Sequence, residues 1–190
     1  MSAAREGQIS QEIYQGTMGR YLVYPMSYLY MKYVQFLSVA TFHLFKFFIV
    51  ITALILYLKN PDFISINAIP TYLALVLLAM HFLFFIFVIL ECMAFWVDNV
   101  WSLQVILRTS LQILGGLYAP LVFFPSAMQI FLELSPLSHC IFTPAMCLLG
   151  KHYYSLGVAF SSLSLGILLL ALLLRWIWKK GLVRFEGSGM

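Results

Sequence analysis

From Tyr153 through Leu174 the chain carries no charged residue, and Arg175, Trp176, Trp178, Lys179 and Lys180 follow at once. A helix advances about 1.5 Å per residue, so roughly 20 apolar residues cross a hydrocarbon layer of roughly 30 Å. Lipid offers no hydrogen bonds to a stray backbone N–H or C=O, so such a run must be helical. Three more runs reach that length: Ser38–Leu58, Tyr72–Phe95 and Ser102–Phe124. The expected fold is therefore an all-α, polytopic membrane bundle with four spanning helices, at about 38–58, 72–95, 102–124 and 153–174. Only 9% of residues are charged and mean hydropathy is +0.94, against roughly 25% charged residues in a soluble domain. The net charge of +4 does not point to nucleic acid, because the basic residues flank the apolar runs.

Those flanks set the topology. An N-terminus inside puts Arg5, Arg20 and Lys32 in the cytoplasm, together with Arg175, Lys179, Lys180 and Arg184 of a tail over 175–190. Only Lys59 and Lys151 then fall outside. The expectation is a single transmembrane domain over 1–190, multi-pass in the plasma or inner membrane, with both termini cytoplasmic. Residues 1–20 are polar and lack the apolar core of a cleavable signal. Residues 20–36, with Tyr21, Tyr24, Tyr28, Tyr30 and Tyr33 beside Arg20 and Lys32, suit a helix lying at the inner interface, so 1–36 reads as a cytoplasmic and interfacial segment.

Leu114–Gly150 is apolar but broken by Gly115, Gly116, Pro120, Pro125, Pro136, Pro144 and Gly150. Proline removes a backbone donor and glycine frees the chain, so no straight helix runs through it. Non-helical backbone survives at membrane depth only against protein or a water-filled cavity. Two short helices dipping back from the outer surface are expected, Ser126–Leu134 and Leu137–Gly150, kinked at Pro144 and spanning 126–150. Phe123, Phe124, Met128 and Phe131 are expected to pack this element.

Polar residues inside the runs cost free energy, about 2.5–3.5 kcal/mol for a charge at the bilayer centre. They are His43, Lys46, His81, Glu91 and Arg108. Counted from Ser38, Lys46 is about 12 Å in, and Glu91 is about 6 Å from the inner end of its run. Those depths permit a Lys46–Glu91 ion pair, with Arg108 competing for Glu91 and snorkelling of both charges as the alternative. His43 shares a face with Lys46, so the two can line a polar path. For His43 and His81 a satisfied packing role is favoured over a proton relay. His139 and His152 lack metal-ligand spacing. Cys92, Cys140 and Cys147 read as small apolar residues, with a Cys140–Cys147 disulfide as the oxidising-compartment alternative. No phosphate-binding loop, HExxH or GxSxG motif occurs. Neither an enzyme nor a cofactor is expected.

Several features recur in one order: Ile13-Tyr14-Gln15-Gly16, Gly19, Tyr21-Leu22-Val23 and Pro25; Ala94-Phe95-Trp96; Gly115-Gly116, Pro120 and Phe124-Pro125; Leu134, Pro136, Pro144 and Gly150; and a tail with Gly181, Phe185, Gly187 and Gly189. That order resembles the membrane permease of ATP-binding-cassette transporters of the type-2 exporter class, in its bacterial six-helix branch. Leu134-Ser135-Pro136-Leu137 departs from the branch's usual Leu-Pro-Phe, and its first two spans have no counterpart here. The resemblance implies that Glu12, Tyr14, Gly16, Gly19, Arg20, Tyr21 and Pro25 receive the motion of partner ATPase subunits. It also implies a second permease subunit, surrounding lipid, and a broken stretch that gates the outer mouth during alternating access. Taken by themselves the residues allow Glu12–Pro25 to be a plain anchor. They also fit an ATP-independent channel or carrier, a scaffold, or an inactive fragment. An apolar interior mildly favours amphipathic cargo.

Overall fold

A computed structural model describes residues 8–58, 64–151 and 153–185; Arg5, Lys59, His152, Gly187 and Gly189 lie outside these. The described residues form α1 (Gln8–Tyr14), α2 (Met18–Leu22), α3 (Tyr28–Leu58), α4 (Ile69–Cys92), α5 (Trp101–Leu114), α6 (Ser126–Leu134), α7 (Pro136–Leu148) and α8 (Leu156–Arg184), with no strand among them. α3, α4 and α8 are long and apolar enough to cross a membrane, and α6 with α7, bent by 94°, makes a fourth if the pair is one span. The chain is an all-helical integral membrane protein.

Three helix boundaries differ from expectation, for local reasons. α8 runs on into the expected tail 175–190 as far as Arg184, because no proline follows Leu174. α3 starts ten residues before Ser38, because nothing from Tyr28 to Leu58 breaks a helix and the Ser27 hydroxyl accepts the Tyr30 N–H at 3.3 Å. The expected interfacial helix over 20–36 is thus split between α2 and the first turns of α3. α5 stops at Leu114, where Gly115 caps it and Gly116 turns to φ 79°. Its 14 residues reach only about 21 Å, so 102–124 is not one spanning helix.

α4 is the central element. Gly166 of α8 packs on Phe82 and Gly181 on Phe95, so α8 lies beside α4 running the same way. α3 runs the opposite way, with Tyr33 against Phe84 and Phe47 stacked on Tyr72. α7 is also antiparallel to α4: its start at Pro136 lies against Gly166, the glycine that packs on Phe82, while Ser65, just before α4, donates its N–H to Leu148 O at the end of α7. In lipid, helices associate through close packing rather than escape from water, which places small residues at the contacts. Ala159, Gly166 and Gly181 serve there, with Leu75 and Leu163 fully buried between α4, α7 and α8.

Candidate functional site

Where α1 meets the last turn of α4, it is tied to two long helices by buried polar groups. The Glu91 carboxylate, in the last turn of α4, accepts the Ile9 N–H at 2.7 Å and the Ser10 N–H at 3.4 Å. These donors are orphans of the first turn of α1, and a carboxylate at a helix N-terminus is doubly favoured, by hydrogen bond and by dipole. Glu12 on the same helix accepts from Lys32 at 2.6 Å and from the Tyr28 hydroxyl at 2.5 Å. Glu12 and Lys32 are both buried, so this pair is screened little by water. Tyr28 in turn stacks on Trp178 of α8 at 5.3 Å between centroids. Tyr14 closes the corner by donating to Val97 O at 2.8 Å.

The outer side of this corner is an open polar hollow of about 380 Å3, lined by Gln11, Gln15, Thr17, Arg20, Tyr21 and Tyr24 among others. Glu12 is answered by Lys32, so amides, hydroxyls and the exposed Arg20 guanidinium dominate what the hollow presents. Gly16 turns the chain between α1 and α2 at φ 65°. Gly19 has Phe185 near it, and Pro25 sits exposed in the bend before α3. Glu12, Tyr14, Gly16, Gly19, Arg20, Tyr21 and Pro25 thus share one corner of the molecule.

The intramembrane residues do not pair as expected. With α3 beginning at Tyr28, Lys46 lies about 27 Å along it, whereas Glu91 is at the opposite end of α4. The Lys46–Glu91 contact is therefore replaced: Glu91 holds α1, and Lys46 is exposed 4.6 Å from the Phe42 ring centroid. His43 is exposed beside Phe42. His81 accepts at Nε2 from the Tyr33 hydroxyl and donates from Nδ1 to Leu77 O, both at 2.6 Å, joining α3 to α4. Arg108 is half-buried on α5.

The second candidate region is the broken stretch. Gly116 fits because a Cβ there would lie 3.1 Å from both Leu121 and Phe142, at a φ that side chains avoid. Gly115 lies against Ile141. Pro120 and Pro125 precede a short 3-10 turn and α6. Ser135 and Pro136 open α7, with the Ser135 hydroxyl accepting the Leu137 N–H, and Pro144 sits buried within it. Gly150 ends the element at φ 69°. Phe123, Phe131 and Met128 do not pack it: they are 81%, 61% and 40% exposed, and only Phe124 is half-buried. Cys140 and Cys147, on one helix, are both free thiols.

His139 is a structural residue that the sequence pattern does not single out. It is fully buried, donates from Nε2 to Glu133 O at 2.8 Å and shares a 2.8 Å hydrogen bond with the Thr143 hydroxyl. It ties α6 to α7 across the bend, helped by the Ser138 hydroxyl donating to Leu132 O at 2.6 Å. The one signal for it is Ser135-Pro136 followed by two polar residues in an apolar run.

The model of one protein family, described as ABC-2 family transporter protein, matches residues 3–189. No curated protein and no solved structure matches the chain.

Proposed function

The chain belongs to the ABC-2 transporter family, and on that premise we propose that it is an exporter permease worked by separate ATPase subunits through the α1–α2 corner. Membership supports a transport subunit of an ATP-driven exporter, with the hydrolysis supplied by another chain. The observation that carries the finer reading is the corner itself. A seven-residue helix is too short to persist alone, yet Glu91 and Lys32 bind it to α4 and α3. Force applied at the hollow therefore reaches the spanning helices through buried, directional bonds rather than through a loose tail. Nucleotide-driven closure of the ATPase pair would favour one arrangement of those helices over another, and the broken stretch Gly115–Gly150 would open or shut the outer mouth. A second permease subunit completes the pathway, with both termini of this chain in the cytoplasm.

Purification from native membranes tests this reading. Wild-type protein is expected to carry an ATP-hydrolysing subunit, and Gln11→Arg with Arg20→Glu in the hollow should release it while membrane insertion and thermal stability persist. Full retention of that subunit by the double variant, or wild-type protein that transports without any, would refute it.

A further inference from the structure

The bend between α6 and α7 sits deep in the fold. Pro136 lies against Gly166, about 15 Å along α8 from its start, and the same glycine packs on Phe82, about 20 Å along α4 from its start. Half of a hydrocarbon layer of roughly 30 Å is about 15 Å, so the bend lies near the bilayer middle. Glu133 is at that bend. The other described acidic residues, Glu12, Glu91 and Asp98, belong to the cytoplasmic end. Glu133 is half-buried and makes no ion pair among the described residues. His139 does not neutralise it, since its bonds to Glu133 O and to Thr143 satisfy both nitrogens of a neutral ring. Burial first, and then the nearby Glu133 charge, hold the Tyr154 phenol above its ordinary range. Beside Glu133, α6 exposes Ile130, Phe131 and Leu134, with Leu134 next to both Ile130 (i, i+4) and Phe131 (i, i+3) on the helix surface.

A carboxylate at this depth is costly and marks a functional position with a partner to be named. We propose that Glu133 is the contact for the positively charged head of a cationic amphiphile, whose apolar part lies along Ile130, Phe131 and Leu134. This rests on the exporter reading above and adds a substrate class to it. An anionic amphiphile of the same length meets the same apolar face but is repelled by the carboxylate.

The test uses the purified chain in phosphatidylcholine nanodiscs, with radiolabelled dodecyltrimethylammonium and dodecyl sulfate as probes in equilibrium dialysis. The ammonium probe is expected to bind saturably and more tightly than the sulfate. Glu133→Gln should weaken it by about tenfold to a hundredfold, the worth of one charged contact, while Asp98→Asn leaves it unchanged. Equal binding by wild type and Glu133→Gln, or no preference for the cation, overturns the proposal. Should Glu133→Gln fail to assemble, wild type decides: the ammonium probe must slow carbodiimide labelling of Glu133, read by peptide mass, and absence of protection overturns it. Binding here needs no nucleotide, so loss of the ATPase partner would overturn only the exporter reading.

Discussion

The Glu91 carboxylate accepts the Ile9 backbone N–H at 2.7 Å, so the last turn of the long apolar helix α4 caps the first turn of the short helix α1. The bond joins residues far apart in sequence and makes α1 conditional on α4. Replacing Glu91 by Ala removes the acceptor and the charge that faces the α1 dipole. The expected cost is about 1–2 kcal/mol at α1. Hydrogen exchange of the Ile9 and Ser10 amides should quicken by about five- to thirtyfold, with the middle of α8 unchanged. Unaltered exchange at those two amides would count against the cap.

Charge swaps separate the pair that exists from the one the sequence favoured. Glu12→Lys alone sets two buried cations together and should destabilise the protein by about 3–5 kcal/mol. Adding Lys32→Glu should restore part of that loss, limited by the Tyr28 hydroxyl, which is oriented to Glu12. Lys46→Glu with Glu91→Lys should restore nothing, since Phe47, next to Lys46, stacks on Tyr72 near the start of α4, whereas Glu91 lies in its last turn. Thermal unfolding in detergent, with membrane levels matched, reads both cycles.

The helical membrane class is legible in the apolar runs, because lipid leaves a long apolar segment no other structure. Three local choices are not. Tyrosines over 28–36 look interfacial, yet the absence of any breaker after Pro25 carries α3 straight through them. The apolar content of 102–124 looks like one span, yet two adjacent glycines outweigh it. The partner of Glu91 is illegible because it is backbone, and an N–H has no sequence signature. Glu12, Tyr14, Gly16, Gly19, Arg20, Tyr21 and Pro25 of the α1–α2 corner are named in advance by the family resemblance, not by their types. Lys32 and Tyr28 read in the sequence only as interfacial, and their bonds to Glu12 are not legible because the fold alone brings α3 back against α1.

Gly181→Ala is expected to be among the most damaging single-methyl additions. Its Cβ would enter the Phe95 ring, at the contact that joins α8 to the end of α4. Phe95 is also held edge-on by Trp178 and Phe185, so it has little room to yield. A loss of about 1–3 kcal/mol is expected from overpacking, seen as a lower unfolding temperature. Gly19→Ala, with Phe185 at an ordinary 3.8 Å, should fall within about 0.5 kcal/mol of wild type.

Gly116 and Gly150 distinguish backbone strain from crowding in the broken element. Both hold a left-handed backbone, at φ 79° and 69°, so an alanine at either costs about 1–2 kcal/mol in conformation alone. A methyl added at Gly150 would have Ser65 Cβ as its nearest neighbour, at 3.5 Å, whereas at Gly116 Leu121 and Phe142 would stand at 3.1 Å. Gly116→Ala should therefore cost about 2–5 kcal/mol, the strain plus a repacking of the Leu121–Phe142 contact. Asparagine tolerates this backbone, so Gly150→Asn should be nearly silent while Gly116→Asn is not. Stability measured by thermal unfolding tests that order. Function adds a second axis: if the element gates the outer mouth, Gly116→Ala should uncouple ATP hydrolysis in the assembled exporter from efflux even after membrane levels are matched. A scaffold predicts loss of stability and nothing more.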